Sequence, residues 1–180
     1  MTTSSHHQSR GVSSDEAVNF TRLWAPWRST FLFQRKRGRC IFCLAKRSRL
    51  DRQQHVIARD AHVFGLLNRY PYNNGHLMVA PYRHVGDLIS LSLPEWHGIL
   101  RMSRRLIARL RDTLRPHGFN VGLNLGRAAG AGIPGHLHVH IVPRWDGDTN
   151  FMPVLAHTKI VSQSLDELYT LLVTQRRKGR

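Results

Sequence analysis

The chain has 180 residues, 41% hydrophobic and 21% charged, which excludes a disordered composition and fits one globular domain burying roughly 70% of its unfolded surface. It has no apolar run near the ~20 residues of a membrane span and no apolar signal core, so the expectation is a cytosolic protein whose two cysteines, Cys40 and Cys43, stay reduced. The net charge of +16, from 27 Lys+Arg against 11 Asp+Glu, attracts polyanions such as nucleic acid, anionic lipid or polyphosphate, without choosing among them.

In chain order, residues 1–20 are polar, Ser-rich and without periodicity, which reads as a disordered tail ahead of a single domain over 21–180. The aromatic stretch "LWAPWRSTFLF" is expected to pack onto that domain, and "QRKRGR" forms a basic loop leading into "CIFC". Residues 62–68 and 76–82 read as two strands, joined by a loop that ends in the turn-forming Asn74-Gly75 pair. The clearest helix follows. Ser92 and Glu95 can form a capping box, and Pro94 is tolerated in a first turn. Trp96, Ile99, Leu100, Leu106, Ile107, Leu110 and Leu114 then recur as an apolar stripe, with Arg101, Arg104, Arg105, Arg111 and Arg115 opposite. Pro116 and Gly118 end it.

Residues 119–126 make a third strand, 127–135 a Gly-rich loop, and "GHLHVHIVPRW" a fourth strand. A weaker strand near 151–156 and a last helix over 164–174 precede a basic tail. One long helix set among strands, without a βαβ rhythm, predicts an α+β fold: a mainly antiparallel five-stranded sheet with one long central helix and a C-terminal helix.

The chemistry centres on the fourth strand. At period 2, His136, His138 and His140 share one face, about 6.6 Å apart, and Leu137, Val139 and Ile141 share the other. Neutral imidazole is a nucleophile, a metal ligand and a hydrogen-bond donor near neutral pH. Three in register are an unfavourable way to build plain structure, because a ring nitrogen buried without a partner costs free energy. The glycines just before the row, Gly126, Gly130, Gly132 and Gly135, leave backbone amides open to a phosphate. "CIFC" fits a redox dithiol, half of a tetrahedral zinc site, or two packed thiols. Bulky Ile41 and Phe42 between the thiols, with no βαβ unit after them, argue against thioredoxin-like chemistry.

"HLHVHIV" matches the alternating signature of the histidine triad (HIT) superfamily. "LLNRYPYNNGHLMVAPYRHV" and "FNVGLNLG" are similar to that family's Asn-bearing strand, Gly-His strand start and phosphate-loop entrance. "LWAPWR" and "VPRWDGDTNFMPV" resemble its bacterial diadenosine-tetraphosphate phosphorylase/hydrolase-like branch.

The resemblance implies a HIT fold and cleavage of a nucleoside polyphosphate at the α-phosphate. His138 would be the nucleophile, forming a nucleotidyl-imidazole that passes to water or phosphate. His140 would bond a phosphate or leaving-group oxygen, Asn68 would hold the ribose, and His76 and Asn124 would line the site. The amides of Gly126, Gly130 and Gly132 would face the phosphates. It further implies a structural zinc ion on Cys40, Cys43, His84 and His136, Mg²⁺ arriving with the substrate, and a homodimer. One departure stands out: Ala131-Gly132-Ile133 replaces the polar Gly-Gln-Ser or Gly-Gln-Thr of many members, leaving Arg127 or backbone amides to meet the leaving group. Two further functions fit the same residues. One is a HIT protein directed at nucleic acid, processing or binding ends, favoured by the +16 charge; the other is a phosphoramidase that cleaves nucleoside P–N bonds.

Overall fold

The computed structural model describes residues 40–47, 50–149 and 163–174. Its elements are α1 (Ile41–Arg47), β1 (Val56–Arg59), β2 (Val63–Leu67), β3 (Leu77–Pro81), α2 (Leu93–Leu114), β4 (Gly118–Leu123), β5 (Val139–Arg144) and α3 (Leu165–Thr174). The five strands form one sheet, ordered β1-β2-β3-β5-β4, and every neighbouring pair is antiparallel. This is the expected α+β architecture.

Strand alternation sorts the side chains onto two faces. Val63 and Leu67 of β2, Leu77 and Val79 of β3, and Val139 and Ile141 of β5 pack against Ile99, Met102, Leu106 and Leu110 of α2, with Leu168 and Leu172 of α3 closing the same core. Phe64, Leu66, Met78 and Ala80 point the other way, where Phe42 and Ala45 of α1 cover them. His140 pairs across the strands with Met78 and therefore lies on the α1 face. One face of the sheet thus carries the bulk of the core, and the other carries the imidazoles.

The long helix begins as its sequence dictates. The Ser92 and Glu95 side chains each bond the other's backbone N–H, and Arg83 grips the Glu95 carboxylate at 2.7 and 3.1 Å. These bonds hold the Glu95 carboxyl down at about 2. Arg115 closes the helix in the left-handed conformation, one residue before Pro116. Gly75 turns the chain into β3 at φ +72, where a Cβ would lie 2.6 Å from Leu114 Cδ1.

Several details differ from the sequence reading. Two elements were not expected: α1, which starts inside "CIFC", and β1, a four-residue edge strand too short for a clear periodicity. β4 ends at Leu123 and β5 starts only at Val139, so His136 and His138 precede the regular strand. Leu100 belongs to the apolar stripe by spacing yet is 61% exposed, because the stripe is wider than the sheet surface it meets. The tail at 1–20, the aromatic stretch before α1, the weak strand near 151–156 and the C-terminal basic residues all lie outside the described residues.

Candidate active site and metal centre

His136, His138 and His140 are all buried, and burial lowers the proton affinity of each: His138 falls below the ordinary imidazole value, and His136 and His140 reach about 4. All three rings are therefore neutral at pH 7. Their hydrogen bonds fix which nitrogen carries the proton.

His138 Nδ1 lies 2.8 Å from the His136 carbonyl oxygen. A carbonyl only accepts, so Nδ1 carries the hydrogen and Nε2 keeps its lone pair. The Tyr72 N–H donates to His76 Nδ1 at 3.0 Å, and the Asn68 amide adds a second bond at 3.3 Å, so His76 must carry its hydrogen on Nε2. That Nε2 donates to His140 Nδ1 at 2.9 Å, which leaves His140 with its own hydrogen on Nε2. A nucleophilic lone pair and a hydrogen-bond donor thus sit on adjacent rings, 4.8 Å apart between centroids. Among the described residues, the buried side-chain polar atoms without partners are His55 Nδ1, Asn74 Oδ1 and Ser103 Oγ. Neither Nε2 is among them, so both reach solvent; His138 itself is 7% exposed.

The second histidine cluster lies at the start of the row. Cys40 Sγ, Cys43 Sγ, His84 Nδ1 and His136 Nδ1 fall within 4.8 Å of one another. The recorded separations are 3.2 Å between the two nitrogens and 3.3, 3.4 and 3.7 Å between sulfur and nitrogen. A tetrahedral zinc ion with ordinary bond lengths sets these edges at about 3.3–3.8 Å, so the four residues fit one. The His136 Nε2–H donates to the Pro81 carbonyl at 2.9 Å, turning the Nδ1 lone pair toward the thiols. Burial pushes the Cys40 thiol up. The loops carrying His84 and His136 touch through glycine: a Cβ on Gly86 would lie 2.4 Å from the Pro134 carbonyl oxygen.

The two clusters meet at His136, whose ring belongs to the cysteine group and whose carbonyl holds His138. Phe42 packs on both rings, with centroids at 4.9 and 4.7 Å. Tyr72 stacks on His140 at 5.6 Å and 27°. Sequence reading gave neither aromatic a place in the site; Phe42 stood out only as a bulky spacer, and Tyr72 lies in a loop whose path no local pattern specifies.

The other expected residues divide. Asn68 and His76 join the triad, but Asn68 is buried and its side-chain oxygen already accepts the Tyr70 N–H at 2.9 Å. Asn124 lines an open depression beside His140. Gly126, Gly130 and Gly132 stand on the loop before His136. There the Gly130 amide donates to the Arg127 carbonyl and the Ala131 amide to the Gly126 carbonyl, so these two N–H groups serve the loop itself. Arg127 is exposed.

The chain is similar in sequence and fold to known proteins. A family model described as the HIT domain matches residues 49–147. An AP-4-A phosphorylase of Mycobacterium tuberculosis is 39% identical over 174 residues, 92% of this chain and 88% of that protein. A zinc-bound histidine triad family protein from Mycobacterium smegmatis superposes with a TM-score of 0.61 at 25% identity, covering 78% of this chain and 97% of the other. A hypothetical histidine triad nucleotide-binding protein from Sulfolobus tokodaii gives 0.59 at 26% identity, covering 77% and 90%.

Proposed function

This chain belongs to the HIT domain family, and we propose that it cleaves a dinucleoside polyphosphate of the diadenosine-tetraphosphate class at the α-phosphate. The His138 Nε2 lone pair attacks the α-phosphorus, and the bond to the bridging oxygen breaks as the phosphorus–nitrogen bond forms. The departing nucleotide leaves as a phosphate anion and accepts a hydrogen bond from His140 Nε2–H. Water or inorganic phosphate then displaces His138, releasing a nucleoside monophosphate or diphosphate. This is covalent catalysis, in which one difficult displacement becomes two. The observation that carries the reading is the Nδ1–H bond from His138 to its own chain at 2.8 Å, which fixes the nucleophilic tautomer. Burial supports it, since a desolvated ring stays neutral and nucleophilic below the ordinary imidazole pKa.

Cys40, Cys43, His84 and His136 would hold a structural zinc ion, which when bound cross-links α1, the His84 loop and the start of the histidine row. Asn68 and His76 act through the row, His76 by setting the His140 tautomer. Asn124 and the glycine loop complete the phosphate side, with Arg127 available to a leaving phosphate. A homodimer is expected through the edge strand β4 and the residues just after it, where Val121 and Leu125 are exposed. Among the described residues no helix is long and apolar enough to cross a membrane.

The test is turnover of diadenosine tetraphosphate by the native protein and by His138→Ala. Loss of turnover with retained substrate binding, and a nucleotidyl mass on acid-quenched native protein, are expected; an active His138→Ala protein refutes the assignment. Added phosphate separates the acceptors, since phosphorolysis yields a nucleoside diphosphate and hydrolysis does not. Nucleoside phosphoramidates in the same panel test the P–N alternative. A second reading, nucleic-acid binding, draws on the exposed Arg104, Arg105 and Arg111 of α2 and Arg115 at its C-terminal cap. Its check is oligonucleotide affinity that falls steeply with salt.

A further inference from the structure

The proposed chemistry uses no side chain of "WDGD" at 145–148, yet the Asp148 carboxylate is only 7% exposed. Removing a carboxylate from water is unfavourable unless donors replace the water. Here they do. Gly147, at φ +71, turns the chain back so that the Asp148 N–H donates to the Trp145 carbonyl at 3.1 Å. The carboxylate then accepts from the Arg144 guanidinium through both oxygens and from the Trp145 N–H at 3.2 Å. The Arg144 bonds hold its carboxyl well below the usual carboxylate range, so it stays charged near neutral pH.

Those partners lie within four residues and suffice to close a turn. A further one serves no local purpose. Asn73, 75 residues away in sequence, donates to Asp148 Oδ2 at 2.8 Å. The same side-chain amide also donates to the Pro143 carbonyl at 3.0 Å. Pairing of β3 with β5 stops at Leu77 and Ile141, so this carbonyl lies two residues beyond the last paired position. The Asn73 amide takes the place of the absent strand, and Asn73 itself is buried.

The loop so anchored is the one that governs His76. The Asn73 carbonyl accepts the His76 backbone N–H at 3.2 Å, and Tyr72, its neighbour, supplies the N–H to His76 Nδ1. The His76 Nε2–H in turn meets His140 Nδ1. We propose that Asp148 and Asn73 are positioning residues for His140. By pinning the backbone at 72–73 to the end of β5, they keep the Tyr72 N–H on His76 and so keep the His140 Nε2 hydrogen aimed at the leaving group. The inference rests on the nucleotidyl transfer through His138. Both residues act through His76 and need no contact with substrate.

The experiment measures diadenosine tetraphosphate turnover for Asp148→Asn and Asn73→Ala, each in the native and the His140→Asn background. Asparagine keeps the shape of Asp148 and removes its charge. Asn73→Ala leaves the Arg144 pair whole and cuts only the link, so it stands in if Asp148→Asn does not fold. Displacing a reacting group by about 1 Å costs up to about 10²-fold, so kcat should fall about 10–100-fold in each single variant, with KM within about twofold of native. In the His140→Asn background the same substitutions should change kcat less than about twofold, because the group they position is gone. Equal losses in both backgrounds would mark a merely structural role and overturn the proposal, as would a folded single variant with native kcat. Imidazole ¹⁵N NMR reads the same chain without turnover: the buried His76 Nε2–H signal should shift or weaken in both variants, and an unchanged signal overturns the proposal. Native protein that leaves diadenosine tetraphosphate intact fails the parent reading, and the imidazole signals then still test the hold on His140.

Discussion

His76 is wholly buried and makes hydrogen bonds at both ring nitrogens, accepting from Tyr72 and Asn68 and donating to His140. Two substitutions separate these duties. Asparagine places a polar group where Nδ1 stood, so it can still meet the Tyr72 N–H, but it does not reach His140. Glutamine extends to the Nε2 position and can still donate to His140, but it abandons the Tyr72 N–H. Without its donor, His140 Nδ1 is free to take up the proton, and Nε2 then becomes a lone pair facing the leaving oxygen. Removing one well-placed donor to developing negative charge slows catalysis about 10²–10³-fold. His76→Asn should therefore lose on the order of 10²-fold in kcat with a modest loss of stability. His76→Gln should keep kcat within about tenfold but lose about 1 kcal/mol of stability, the order of one hydrogen bond, because the part-buried Tyr72 N–H loses its His76 acceptor. Single-turnover rates of nucleotidyl-enzyme formation and urea unfolding measure the two quantities. A His76→Asn protein as fast as native would refute the deduced chain of tautomers, and so would a His76→Gln protein as slow as His76→Asn.

Three further outcomes follow from other parts of the molecule. Purified protein should contain close to one zinc per chain by elemental mass spectrometry, and chelation should lower its melting temperature while making Cys40 and Cys43 reactive to thiol reagents; protein that is metal-free yet equally stable contradicts the site. Gly86→Ala, whose Cβ would press on the Pro134 carbonyl at 2.4 Å, should part the two ligand loops and weaken metal affinity at least tenfold, read by competition with a chromogenic chelator. Folding stability should decline in acid in two stages. His140 holds a folded value of about 4 against 6.5 unfolded, so between those limits the unfolded chain binds a proton that the folded one refuses, a loss of about 2 kcal/mol by pH 5. Glu95, held at about 2 against 4.5, contributes stability above pH 4.5 that disappears as pH falls toward 2. Urea midpoints from pH 7 to 3 check both stages, and a His140→Asn protein with an unchanged slope between pH 6.5 and 5 would contradict the first.

Wherever one physical rule acted over a few residues, the sequence was enough. Alternation of His and aliphatic residues from His136 to Ile141 put the imidazoles on one face, and Ser92 with Glu95 set the start of α2. The four metal-site residues were named by family likeness, because their ligand atoms come from α1, the loop after β3 and the start of the histidine row, and no spacing rule joins such distant positions. β1 and α1 were missed since four and seven residues are too few for a period to declare itself.

The rest was decided by tertiary contact. Which nitrogen of each histidine carries the proton depends on Pro81, Tyr72 and the His136 carbonyl, brought to the rings by strand pairing and loop path. Whether the loop glycines offer their amides depends on where the loop's own carbonyls lie. Gly122 stands opposite His140 only because β4 pairs with β5 in that register. The amino-acid order determined which chemical groups this protein owns and which side of a strand each occupies, because those follow from covalent geometry alone. Their protonation, their partners and the spaces between them waited on long-range packing, because a hydrogen bond needs its second atom within about 3 Å and only the fold supplies it.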